Sequence, residues 1–168
     1  VRAYRSVLDV PGPIDVATAN LFASPVSLLP GQGDGTLLPA VDLPIASPAN
    51  GLAVGDLDGD GLPDLVTANP DSDGVSVLHL LDTATGKEKP APKLPVGSVG
   101  VIRLHDNGRD LAFTLVSHQS SGDVYSADLS TGKVERWTFS ETGGINTEGF
   151  SAPELVRWKS FDSKTISG

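Results

Sequence analysis

Apolar residues in this chain come in short runs and not in helical stripes. No segment of 11 or more residues shows a clean 3.6-residue period. β-favouring runs recur instead, each stopped by turn residues. The pattern predicts strands at Ile14–Ala19, Gly51–Gly55, Asp64–Ala68, Val75–Leu80, Val99–Leu104, Asp110–Ser117, Asp123–Asp128 and Lys133–Phe139. Four weaker runs, Arg2–Leu8, Val26–Leu29, Thr36–Leu43 and Glu154–Phe161, extend the series. Between them sit "GQGDG", "PDSDG", "HDNGRD" and "STGK", where Gly, Asn and Asp supply positive φ or side-chain-to-backbone bonds. Such spacing is what four-stranded antiparallel blades produce. The expected fold is therefore all-β, a β-propeller with about three blades plus an extra terminal strand per chain.

An internal repeat supports blades. Shifted by 49 residues, "DVATAN" (Asp15–Asn20) lies on "DLVTAN" (Asp64–Asn69), and "VSLL" (Val26–Leu29) lies on "VSVL" (Val75–Leu78). The same shift sets Val7–Asp15 on Asp56–Asp64, keeping Leu8, Asp9, Gly12 and Asp15. One blade of a propeller spans about 40 to 50 residues.

Composition narrows the function. At 168 residues the chain suits a single domain. Its net charge of −9 lacks the basic face that nucleic acid requires, so no nucleic-acid partner is expected. Apolar runs are too short for a transmembrane span, so no membrane partner is expected either. The absence of cysteine excludes disulfide and thiolate chemistry. The chain does not open on Met and shows no targeting segment, which reads as a mature or excised fragment.

The densest chemistry is "DLDGDGLPD", where Asp56, Asp58, Asp60 and Asp64 stand at relative positions 1, 3, 5 and 9. Alternating carboxylates on a curled loop can converge on one hard cation, and Gly59 and Gly61 permit the curl. A backbone carbonyl, most simply that of Leu62, would serve at position 7. An EF-hand requires Glu at position 12 and helical flanks, but Thr67 stands there, the flanks are strand-like and Pro63 interrupts any exiting helix. The competing reading is an acidic turn kept soluble by its charge. Mutual repulsion among four carboxylates favours a metal, and the flexible oxygen-rich set suits Ca²⁺ better than Mg²⁺. The equivalent positions of the first repeat, Val7, Asp9, Pro11 and Asp15, lack two carboxylates, so no ion is expected there.

With these motifs in place, two resemblances emerge. Residues 14 to about 80 resemble the FG-GAP/VCBS-type calcium-binding blades of integrin-like β-propellers, on the acidic loop, the following "PDLVTAN" strand and the "GQGDGT" turn. That resemblance implies Asp56, Asp58, Asp60, Leu62 (by its carbonyl) and Asp64 as calcium ligands. Residues 81–168, through "LDTATGKEKPAPKLPVGSVGVIRLHDNGRDLAFTL", "GDVYSADLSTGKVERWTFSETGGINTEGF" and "SAPELVRWKSFDSKTISG", are similar to the propeller domain of prolyl-oligopeptidase-type serine peptidases. The division implied is 1–80 and 81–168 within one propeller domain, a chimera joined near "VSVLHLLDTATG".

The catalytic half of that peptidase family has no counterpart here. "GFSAP" (Gly149–Pro153) carries Pro where a nucleophile elbow needs Gly, and His79, His105 and His118 lack a paired Ser and Asp motif. No enzyme activity is expected. Trp137 and Trp158 suit packing between blades, and "GKEKPAPK" a solvated edge or connector. Three blades alone would leave edges and faces open, so a homodimer closing a larger ring is expected. A compact monomer closed by Arg2–Leu8 against the C-terminal strand is the alternative. The resulting reading is a non-catalytic calcium-binding scaffold, against a detached peptidase gating propeller or an extracellular adhesion module. Weak calcium sites are typical of extracellular modules, which points the chain outward, to an extracellular or periplasmic setting.

Overall fold

The computed structural model describes residues 15–19, 26–43, 49, 51–70, 76–83, 85–154 and 156–167. Among these the regular elements are strands, apart from one turn of 3-10 helix at Thr147–Gly149. The first sheet holds β1 (Val16–Thr18), β2 (Val26–Leu29) and β3 (Val41–Leu43). The second holds β4 (Gly51–Gly55), β5 (Asp64–Pro70), β6 (Ser76–Asp82) and β7 (Lys87–Lys89). The third holds β8 (Ser98–Leu104), β9 (Asp110–Ser117), β10 (Ser120–Asp128) and β11 (Val134–Arg136). A two-stranded sheet, β12 (Arg157–Lys159) with β13 (Thr165–Ser167), follows. All pairings are antiparallel between neighbours in sequence, the meander of a propeller blade.

The second blade is buried on both faces. On β5, Leu65 packs with Leu52, Leu81, Ala17 and Val26 toward the first sheet. Its neighbours Val66 and Ala68 turn the other way, onto Ile102, Phe113 and Tyr125 of the third. Because strand side chains alternate, an unbroken apolar run such as "LV" can feed two cores at once. The third blade alternates instead: Leu111, Phe113 and Leu115 are buried, while Ala112 and Val116 are exposed. Each blade therefore offers the same kind of face to its predecessor.

Strand pairing sharpens the repeat. Val16 pairs with Leu29, whereas Leu65, 49 residues after Val16, pairs with Leu81, 52 residues after Leu29. The "VSLL"/"VSVL" alignment is thus corrected by three residues: a longer connection separates β5 from β6. A second repeat links the second and third blades. Leu65 pairs with Leu81 and Leu81 with Glu88; 46 residues on, Leu111 pairs with Ala127 and Ala127 with Val134. Its sequence trace is "D-x-x-T-G-K", at Asp82–Lys87 and Asp128–Lys133. In both turns the aspartate carboxylate accepts the threonine N–H and the aspartate carbonyl accepts the glycine N–H.

Of the two readings of "GKEKPAPK", edge holds for its front half, which is edge strand β7, whose lysines suit an edge because charge blocks further pairing. Other expectations changed. The C-terminal run is a hairpin and not a lone strand. Trp137 and Trp158 are exposed rather than packed between blades, and Trp137 Nε1 donates to Ser126 Oγ at 2.8 Å. Arg2–Leu8 lies outside the described residues.

Candidate metal centre

The acidic loop is the tip of the β4–β5 hairpin. Gly55 pairs with Asp64, leaving the eight residues Asp56 to Pro63 to make the turn. Gly59 and Gly61 take φ of 81° and 83°, a region open to glycine at little cost. Asp56 organises the curl: its carboxylate accepts the N–H groups of Asp58, Gly59 and Gly61 at 3.2, 2.7 and 3.0 Å. Asp58 accepts from Asp60 N at 3.1 Å, and Asp60 from Leu62 N at 2.8 Å. The Gly59 and Gly61 amides hold the Asp56 carboxyl below its ordinary pKa.

Asp64 closes the base of the loop and is 1 % exposed. Its carboxylate accepts from Leu57 N at 3.1 Å and from Thr83 N at 3.2 Å, tying the tip to the end of β6. The first blade repeats this tie: Asp15 accepts from Gly31 N at 2.7 Å. Asp15 and Gly31 precede Asp64 and Thr83 by the same 49 and 52 residues that relate the strands.

Carboxylate oxygens of Asp56, Asp58 and Asp64 lie within 4.8 Å of one another, the former two reachable from solvent and the last buried. Asp60 lies outside this trio, its oxygen engaged by Leu62 N. A positive charge already sits against the cluster. Lys89 Nζ, on β7, is 2.8 Å from Asp58 Oδ2, 3.4 Å from Asp64 Oδ2 and 3.9 Å from Asp82 Oδ2. Burial alone would lower the Lys89 pKa, but the hydrogen bond to Asp58 and the charge of Asp64 outweigh it and hold the ammonium above its ordinary value. The Lys89 hydrogen bond in turn holds Asp58 below the usual carboxylate range. Three hard oxygen donors around a point that already attracts a cation fit a divalent ion of the calcium type.

The third-blade tip is shorter. His105 N donates to Asp110 O, leaving only Asp106 to Arg109 in the turn. Asn107 Oδ1 accepts Arg109 N and Asp110 N, each at 3.0 Å. The two tips touch: Gly108, at φ 68°, sits so close that a β-carbon would overlap the Asp56 carbonyl.

Family models agree with this part of the chain. Residues 12–67 match an FG-GAP-like repeat and residues 49–86 an FG-GAP repeat. A search of curated proteins finds no match to this chain. The matched stretch, 12–86, is under half of the 168 residues; it holds the first blade, the acidic tip and β4 to β6, and stops just before β7. It supports an integrin-like β-propeller module. Both matches end before the third blade begins; the second runs to residue 86, past the division at 80/81, and neither shows the peptidase-type likeness of residues 81–168.

Lys89, Asp82 and Thr83 escaped the sequence reading. They stand 18 to 33 positions from the acids at 56 to 64, and β7, which carries Lys89, lacks apolar alternation. The recurrent D-x-x-T-G-K turn was the available signal.

Proposed function

We propose that this chain is a non-catalytic β-propeller module, stapled by calcium at the β4–β5 tip and completed by self-association. The convergence of Asp56, Asp58 and Asp64 on one point carries the reading. Asp56, Asp58, Asp60, the Leu62 carbonyl and Asp64 would hold the ion. Calcium there neutralises the loop and cross-links it; Asp64 passes that constraint to Thr83 at the end of β6. Calcium titration calorimetry and thermal melting with calcium or chelator test the site. Heat of binding and a higher melting temperature with calcium are expected; their absence would overturn it.

Self-association is supported by the faces left open. Among the described residues, Val101, Val116 and Val124 are exposed on the side of the third blade away from the second. The corresponding side of the second blade, with Val66 and Leu78, is covered by the third. Light scattering is expected to give a multiple of 17.3 kDa, and a monomer mass at micromolar concentration would refute the ring. We further read the chain as a chimera. Such a joint would lie near β6, the third strand of the second blade, whose pairing with β5 and β7 is unbroken.

A further inference from the structure

We infer that Lys89 is a built-in counter-cation that competes with the divalent ion for the oxygens of Asp58 and Asp64, and so sets how tightly the tip binds metal. The inference rests on the metal reading of that tip. Its ammonium spans the cluster without belonging to it: 2.8 Å from Asp58, 3.4 Å from Asp64 and 3.9 Å from Asp82. An ammonium and a divalent ion cannot share the same carboxylate oxygens without strong repulsion between them. Asp82 offers the ammonium a second seat outside the Asp56–Asp58–Asp64 trio, its other oxygen already fixed by Thr85 N at 2.9 Å.

Comparison of the blades gives an independent reason. Strand pairing makes Val41, Lys89 and Glu135 equivalent, because they face the equivalent residues Leu28, Leu80 and Ser126. A lysine stands at this register only in the blade that carries the acidic tip. Glu135 instead pairs with Lys133 at 2.8 Å on its own edge strand. Lysine at this position therefore tracks the carboxylates and not the strand.

Without metal, Lys89 offsets repulsion among the three carboxylates and keeps the tip folded. With metal, the ammonium leaves Asp58 and Asp64 for Asp82 or solvent. An ammonium that covers the oxygens about nine-tenths of the time weakens apparent affinity about tenfold.

The test compares the full chain with Lys89→Met, which keeps the stem and removes the charge, using calcium titration calorimetry and melting in chelator and in saturating calcium. Lys89→Met is expected to bind calcium about tenfold more tightly. Its melting temperature should fall by roughly 2 to 6 °C in chelator yet stay within about 1 to 2 °C of the parent in calcium. A lysine with a purely structural role would lower both melting temperatures equally, which would overturn the inference. Equal calcium affinity in parent and variant would overturn it while leaving the metal site standing. If neither protein takes up millimolar calcium, the metal reading itself falls and the competition with it. Should Lys89→Met fold poorly, Asp58→Asn added to it is expected to restore stability in chelator, and failure to do so would count against the counter-cation role.

Discussion

The second and third blades close the same hairpin by different chemistry. Between β4 and β5 the chain uses eight residues, with carboxylates accepting successive amides and a lysine from another strand neutralising them. Beyond the His105–Asp110 bond of the third blade it uses four, with one neutral side chain, Asn107, accepting two amides. The short tip is complete in itself. The long one concentrates negative charge that a cation must offset, so its stability depends on what is dissolved around it. A blade tolerates either because β5–β7 and β9–β11 keep one register, 46 residues apart, whatever the tip does.

The largest expected effect joins the two tips. Gly108→Ala would strain a φ of 68° and drive a β-carbon into the Asp56 carbonyl. A loss of about 3 kcal/mol is expected, read as a shift in the denaturant midpoint. Next come Asp64 and Asp123, the most deeply buried carboxylates of the second and third blades. Asp64→Ala strips acceptors from Leu57 N and Thr83 N, and Asp123→Ala strips them from Arg136, Thr138 and Ser140, each costing about 2 kcal/mol in denaturant unfolding.

Asp123 also predicts acid sensitivity. Burial would raise its pKa, but hydrogen bonds from Ser120, Ser140, Thr138 and Arg136 outweigh this and hold the carboxyl far below the usual range. A depressed folded-state pKa contributes stability above the unfolded-state value of about 4, lost as pH falls from there toward the folded-state value. Asp123→Asn should therefore flatten the loss of stability below about pH 4 in a pH series of melts.

Calcium at about 2 mM, acting on a site of about 0.1 mM affinity, should raise the melting temperature by roughly 4 to 7 °C. Asp58→Asn with Asp60→Asn, or the four-residue third-blade tip grafted in place of residues 56–63, should abolish that rise while the fold survives in circular dichroism. The smallest effect is expected for Asn107→Ala, about 1 kcal/mol in denaturant unfolding, with the calcium response unchanged.

Much of this was legible beforehand, for a physical reason. Turn residues are few in kind and strong in preference, so Gly59, Gly61, Asn107 and Gly108 announced their hairpins, and the alternating aspartates announced the gathering of Asp56, Asp58 and Asp64 but not the exclusion of Asp60. What remained hidden depended on partners distant in sequence. Lys89 reaches the acids only through the register of β6 against β7, and edge strands such as Lys87–Lys89 carry charge where pattern reading looks for apolar residues. The 46-residue repeat was hidden because a four-residue difference between the tips breaks any single shift, while "LVTAN" and "LAFTL" share few letters.

The common direction in which the blades stack has a consequence for assembly. A contact between copies that reused it would be head to tail, each molecule covering one neighbour while presenting a fresh surface to the next. Such growth ends only when curvature brings the last surface back to the first. Two copies satisfying that condition form a ring with a twofold axis down its centre; a small change in the tilt between blades would turn the same contact into an open filament.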